Sequence, residues 1–260
     1  MRALYDTSRY LTSFNFYEWL LQAHAKGAKT IVFDIRGIRG DKWPTPLARQ
    51  RFYSICAPGP ALIGLPHEIF DGGVIGSTNA RDVAKPGGKA FVDFWKSGGR
   101  FKRLATVNPK GVARFTVTLR KTQRSPSRDS DELLWREFAA EIGARVIEDY
   151  DTIPIHLHDR VALYAGAEMN YFVSNGPGIL CSFTEYPCML FNTIDAAGSL
   201  RSDGIAFGAQ YPWMLPGNQR TIWETATRES LRRYHYQWVE SKTFAEDRLP
   251  EDPYASAPAP

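Results

Sequence analysis

Hydrophobic positions along the chain fall into short β-branched or aromatic runs separated by longer stretches of helical spacing. Residues 1–5 (MRALY) read as a first strand. Residues 15–26 (NFYEWLLQAHAK) carry apolar side chains every three or four positions, with Asn15 placed as N-cap and Gly27 as the stop. Residues 30–34 (TIVFD) form the next apolar run. Strand, helix, Gly, strand is the pattern of a βαβ crossover and predicts a parallel sheet from the first residue onward. Residues 44–53 predict a helix and residues 61–64 a short strand, whereas residues 72–110 show no clear period.

The second half repeats the logic. Residues 114–119 (RFTVTL) alternate and are β-branched, residues 130–142 predict a helix closed by Gly143, and residues 145–147 begin another strand. An Ala-rich helical segment at 161–168 leads to the apolar run 171–173, which stops abruptly at Ser174-Asn175-Gly176-Pro177-Gly178 before a second helix start and a second buried strand. A last helix is expected over 222–239. The pattern divides near Gly111. It predicts an N-terminal α/β lobe (1–110), a C-terminal α/β lobe (111–221), a final helix (222–244) and a Pro-, Ala- and acid-rich tail (245–260) expected to be disordered. Two α/β lobes imply a cleft between them.

Composition narrows the class. In 260 residues, 43% hydrophobic and 13% aromatic content suffices for a substantial core. No stretch approaches the roughly 18 apolar residues of a membrane span, and the polar-interrupted start lacks a secretory apolar run. A cytoplasmic protein without a membrane span is expected. Cys56, Cys181 and Cys188 form no CxxC pair and leave an odd thiol, which fits a reducing compartment and argues against structural zinc. A net charge of +4 permits anionic ligands but falls short of a dedicated nucleic-acid binder.

In parallel sheets ligands sit beyond the carboxyl ends of strands. Two polar loops occupy such places in the second lobe. Residues 120–129 bring Arg120, Lys121, Arg124 and Arg128 together with several hydroxyls, a set suited to a diphosphate. In the turn at 174–178, Gly176 and Gly178 can take positive φ and admit a ligand to the backbone, and the following helix start would attract an anion. Neither GxxxxGK[ST] nor GxGxxG occurs. His156 and His158 alternate as a metal pair does, yet no carboxylate or Cys converges on them, so no metal site is expected.

The segment 159–191, with its Ser174-Asn175-Gly176-Pro177 turn, resembles the C-terminal lobe of GT-B glycosyltransferases, especially the heptosyltransferase-like group. Val117 to Arg120, with Arg124 and Arg128-Asp129-Ser130, looks like the strand and donor-phosphate loop of that lobe. The resemblance covers roughly 80 residues and implies two Rossmann-like lobes, with the last helix packing back on the first. It implies a nucleotide-sugar as co-substrate, no tightly bound cofactor, and donor-binding roles for Arg120, Lys121, Arg124, Asn175, Gly176, Pro177 and Gly178. Asn175 stands where an Asp is common, and Ile179-Leu180 replaces a polar helix start, so the sugar or nucleotide can differ. Glu185 resembles the helix acid that contacts the donor ribose. Trp223 and Trp238 read as packing anchors.

Transfer needs a base for the acceptor hydroxyl, and in this family it comes from the first lobe. Asp6 and Asp34 follow the first two strands, and His67 and Glu68 follow the third apolar run. Asp6 can alternatively cap its own turn, and Asp34 can pair with Arg36. The acceptor is expected to be a glycan or a small molecule. A variant has hydroxymethylated bases of DNA as acceptor, met by the basic stretch 96–110 with Trp95, Arg100, Phe101, Lys102 and Arg103. A non-catalytic nucleotide- or sugar-binding protein is the alternative class. The sequence leaves the oligomeric state open.

Overall fold

The computed structural model describes residues 1–38, 44–72, 80–111, 113–122, 128–150, 154–191, 193, 197–249 and 251. The protein is α/β, with one four-stranded and one five-stranded sheet, both parallel throughout. Two compact units carry them. The first comprises Met1–Thr106 with Pro154–Arg160, the second Val107–Ile153 with Val161–Pro260.

In the first unit, β1 (Arg2–Asp6), α1 (Asn15–Ala25) and β2 (Thr30–Asp34) form the expected crossover. Asn15 is the first helical residue and not its cap, because Phe14 holds the cap position without a side-chain bond. After α2 (Thr45–Arg51) the chain tightens through a 3-10 turn at Gly59–Ile63, where the sequence suggests a strand. Short helical turns bury Leu62 and Ile63 as well as a strand would, so the apolar run alone misleads. The third strand is β3 (His67–Phe70), an exposed edge strand whose polar face hides its period. Beyond it lie β4 (Ala80–Arg81) and α3 (Gly88–Lys96), in the stretch without a clear sequence signal. The order is β3-β2-β1-β4. Tyr5, Phe16, Trp19 and Phe33 fill the core, with Tyr5 meeting Phe16 and Trp19 edge-on at 4.9 and 5.0 Å.

The second unit runs β5 (Phe115–Lys121), α4 (Glu132–Glu141), β6 (Arg145–Tyr150), α5 (Leu157–Ala165), β7 (Met169–Val173), α6 (Gly176–Ser182), β8 (Cys188–Phe191), α7 (Ala197–Ser202), β9 (Gln219–Thr221) and α8 (Arg228–Ser241). The first residues of α5 group with the first unit. Sheet order is β6-β5-β7-β8-β9. Alternation along β5 sends Phe115, Val117 and Leu119 to one core, with Trp135 and Phe138 of α4 and Leu231, Tyr234 and Trp238 of α8. On the other face, Thr116 Oγ1 donates to Asn170 Oδ1 (2.6 Å), and Asn170 Nδ2 donates to the carbonyls of Tyr164 and Pro187. A buried amide satisfied in this way fixes the register of β7 between its neighbours.

The final helix starts later than its apolar pattern suggests. Thr227 and Ser230 form a reciprocal capping box, and Ile222 belongs to the core before it. Its buried face completes the second unit's core. Trp223 and Trp238 are buried, the former donating to the Ala209 carbonyl at 2.9 Å. The start of the tail is docked, contrary to expectation: Asp247 accepts from Tyr234 and Arg220, and Arg248 pairs with Glu229. No helix among the described residues is long and apolar enough to cross a membrane.

His235 of α8 is buried and shares a 2.6 Å hydrogen bond with the Tyr171 hydroxyl. Burial, and then the nearby Arg114, lowers its imidazole to about 4. The unfolded chain, near 6.5, therefore takes up that proton first, so this contribution to stability is complete above about pH 6.5 and lost as pH falls toward about 4. Denaturant midpoints should fall across that window, and His235→Gln should flatten the fall whatever its effect on the midpoint at neutral pH.

Candidate functional site

In the second unit the chain leaves β5 toward β6 on one side and returns to β7 on the other, so β5 and β7 flank the point where the connections reverse. Loops at the carboxyl ends of such strands diverge and leave a crevice. The basic loop follows β5, and the Ser174–Gly178 turn follows β7. The two meet directly: Arg128 donates to the Ser174 carbonyl at 2.9 Å. Spacing alone does not single out Arg128 among the loop's cations.

Arg120, at the root of the loop, is committed to the loop itself. Its guanidinium pairs with Asp129 at 2.9 Å, largely out of solvent, and Asp129 also accepts from the Thr122 amide on both oxygens at 3.0 Å. The Arg120 and Ser130 backbones close the base, with Ser130 N donating to Arg120 O (3.1 Å) and Arg120 N donating to Ser130 Oγ (2.9 Å). Arg120 is thus a scaffold for the loop before it is a ligand contact. Lys121 is exposed, its ammonium 5.9 Å from the Tyr150 ring. Arg124 lies outside the described residues.

The glycine turn differs from the expected cradle. Neither Gly176 nor Gly178 has positive φ. Asn175 caps α6, its Oδ1 accepting from Gly178 N at 2.8 Å, and Pro177 brings no N–H. Little of the helix start is left for an anion. Gly178 sits in a tight place, where a Cβ would stand 3.2 Å from Leu190 Cγ and from Phe172 Cβ. What the turn does offer is the Asn175 side chain: its residue is 6% exposed, and Nδ2 is a buried donor without a hydrogen-bond partner. Glu185 is exposed and lies past the end of α6, in the turn that leads into β8. It stands with the strand starts, at the opposite end of the sheet from Asn175, so it is not the helix acid that the resemblance implies.

In the first unit, Asp6 and Asp34 are register partners at the carboxyl ends of β1 and β2. Asp34 is held by a fork from Arg36, Nε at 3.0 Å and a terminal nitrogen at 2.6 Å. That pairing lowers its carboxyl below the usual range and makes it a weaker base. Asp6 Oδ1 accepts from Ser8 N and Ser8 Oγ at 2.8 and 2.6 Å, which leaves Oδ2 outside this turn. The two loops are packed so closely that a Cβ on Gly37 would lie 2.8 Å from Ser8 Cβ. Glu68 is displaced from its expected place. It lies within β3, in register with Val32, and pairs with Arg2, while His67 packs edge-on to Phe33.

Cations of the 96–110 stretch are laid on the unit's own surface. Arg100 covers the Trp95 ring at 4.6 Å, Arg103 lies 5.8 Å from Phe101, and Lys102 reaches the Ile63 carbonyl. His156 and His158 stack edge-on, and no group of three or more His, Cys, Asp or Glu among the described residues could hold a metal ion. The three cysteines are buried and none is in a disulfide. No protein-family model, curated protein or solved structure matches the chain.

Because Asp129 fixes the loop through a charged pair and a bifurcated hydrogen bond from the Thr122 amide, Asp129→Ala should destabilise the protein by about 2 kcal/mol. Lys121→Ala, at an exposed strand end, should stay within about 0.5 kcal/mol. Urea unfolding of both variants checks this contrast.

Proposed function

We propose that the chain is a glycosyltransferase that takes a sugar from a nucleotide-sugar bound at the β5/β7 crevice of the second unit. The observation that carries the reading is the meeting of Arg128 with the Ser174 carbonyl beside a buried Asn175 amide that lacks an acceptor. A diphosphate supplies acceptor oxygens for that amide and negative charge for Arg128 and Lys121. As the sugar–phosphate bond breaks, the charge of the departing diphosphate is stabilised by these side chains. The acceptor is a glycan or small-molecule hydroxyl. Internal engagement of Arg100, Lys102 and Arg103 gives the DNA variant less support.

Asp6 is the base in this reading. Two donors from Ser8 fix one carboxylate oxygen, and the other can take the acceptor proton as the new glycosidic bond forms. Asp34 is disfavoured by its fork to Arg36, and Glu68 by its place inside a strand.

A thermal-shift screen against UDP-, GDP-, ADP- and CMP-sugars should find a stabilising donor, by about 2.7 kcal/mol at roughly 100 times its dissociation constant. Arg128→Ala should abolish that shift. A protein that responds to none of the nucleotides has no donor site of this kind.

Asp6→Asn should lower turnover by a factor of about 10² to 10⁴ while the donor-induced thermal shift persists. Unchanged turnover removes Asp6 as the base, and donor binding without any transfer by the wild type points to a non-catalytic binding protein.

A further inference from the structure

The first unit has its own reversal point. From β1 the chain moves to β2 and β3 on one side, and β4 pairs with β1 on the other. The loops after β1 and β4 flank a cavity of about 530 Å³, lined by Arg9, Tyr10, Ser13, Asn15 and Lys85, with Leu11 and Pro86 as its apolar part. That volume lies in the range of roughly 300–1,000 Å³ of small-molecule sites. Among the described residues its lining holds two cations, a phenol, a hydroxyl and a carboxamide, and no carboxylate. Asp82 stands beside it, accepting from Tyr10 Oη at 2.7 Å and from Arg9 at 3.3 Å.

One wall is held in place from outside the cavity. Glu18 and Gln22 of α1 and Lys26 at its C-cap recur every four residues, and each bonds the backbone of the loop after β4. Lys26 donates to Val83 O at 2.7 Å, Gln22 donates to Lys85 O at 2.9 Å, and Glu18 accepts from Gly87 N at 2.9 Å. Glu18 and Gln22 are buried, and Gly87 turns the chain at φ +113° where a side chain would be strained. The strap sets Lys85 and Pro86 before any ligand arrives. Desolvation and the bond to Asp82 raise the Tyr10 phenol to about 12, so it remains a donor at neutral pH.

We infer that this cavity binds a small organic phosphate, its phosphoryl dianion between Arg9 and Lys85 and its body against Tyr10, Leu11 and Pro86. A phosphomonoester carries about −1.5 to −2 at neutral pH and draws on Lys85 and on Arg9, whose charge Asp82 partly offsets, more strongly than a singly charged carboxylate does. Ser13 and Asn15 add hydrogen-bonding capacity for the remaining oxygens. The cavity lies wholly in the first unit, so its occupancy can be tested apart from that of the donor loops.

Calorimetric titration of the full chain with glucose 6-phosphate, glycerol 3-phosphate and phenyl phosphate tests the assignment, with inorganic phosphate and glucose as controls. Saturable binding of at least one organic phosphate is expected, tighter than that of inorganic phosphate, with none for glucose. Lys85→Glu and Arg9→Gln should each weaken it about tenfold or more, the loss of one charge-assisted bond. Melting temperature should stay unchanged in Lys85→Glu, and Arg128→Ala should leave the binding intact. Absence of saturable binding by all three phosphates in the millimolar range overturns the inference, as does binding that Lys85→Glu leaves unchanged. Inorganic phosphate binding as tightly as the organic esters also overturns it, reducing the site to an adventitious anion only.

Discussion

Parallel strand pairing is the constraint on which each unit depends. Parallel strands cannot be joined by tight hairpins, so every connection crosses a face of the sheet and delivers its outgoing loop to the same carboxyl edge. That geometry, more than any single residue, gathers Asp6 and Asp34 at one edge of the first sheet and the Arg120 and Asn175 loops at one edge of the second. Where the direction of connection reverses, neighbouring loops part, and in the first unit a cavity lies at that point.

Polar side chains inside the units act chiefly as fasteners for these loops. Asn170 links Thr116 to two carbonyls, and Gln219 Nε2 donates to the carbonyls of Thr184 and Tyr186 at 3.0 Å, tying down the turn between α6 and β8. The Arg120–Asp129 pair does the same for the basic loop, and the Glu18, Gln22 and Lys26 series for the loop after β4. Glu18, Gln22, Asn170 and Gln219 are buried with their hydrogen bonds made, so they specify one loop geometry at little net cost. Asn175 Nδ2 differs from these fasteners in having no hydrogen-bond partner, as do several buried Arg Nε and Trp Nε1 atoms elsewhere.

Much of the fold was legible along the chain because its signals are local. The β1–α1–β2 crossover, the alternation of β5, the helix closed by Gly143 and the turn at Asn175 all follow from periodicity and from residues with restricted or permissive backbones. Edge elements were not. The strand β3 exposes His67, Glu68 and Ile69, so it has no apolar face to display, and two-residue β4 is too short for any period. Site chemistry was less legible than fold. The Asp34–Arg36 pair, two residues apart, can be read along the chain, but the commitment of Glu68 to Arg2 spans 66 residues and cannot.

The sequence by itself determined that this chain is α/β, that parallel crossovers recur in both halves, and that basic and acidic loops follow particular strands. Those properties are written in local patterns of burial and turn chemistry. Tertiary structure alone decided which loops are neighbours, which charges are already neutralised, and that Glu185 stands at the far end of its sheet from Asn175. It also decided that Arg9 and Lys85, 76 positions apart, line one cavity. Strand order is set by packing and long-range pairing across the sheet, and no window along the chain contains both partners of such a pair.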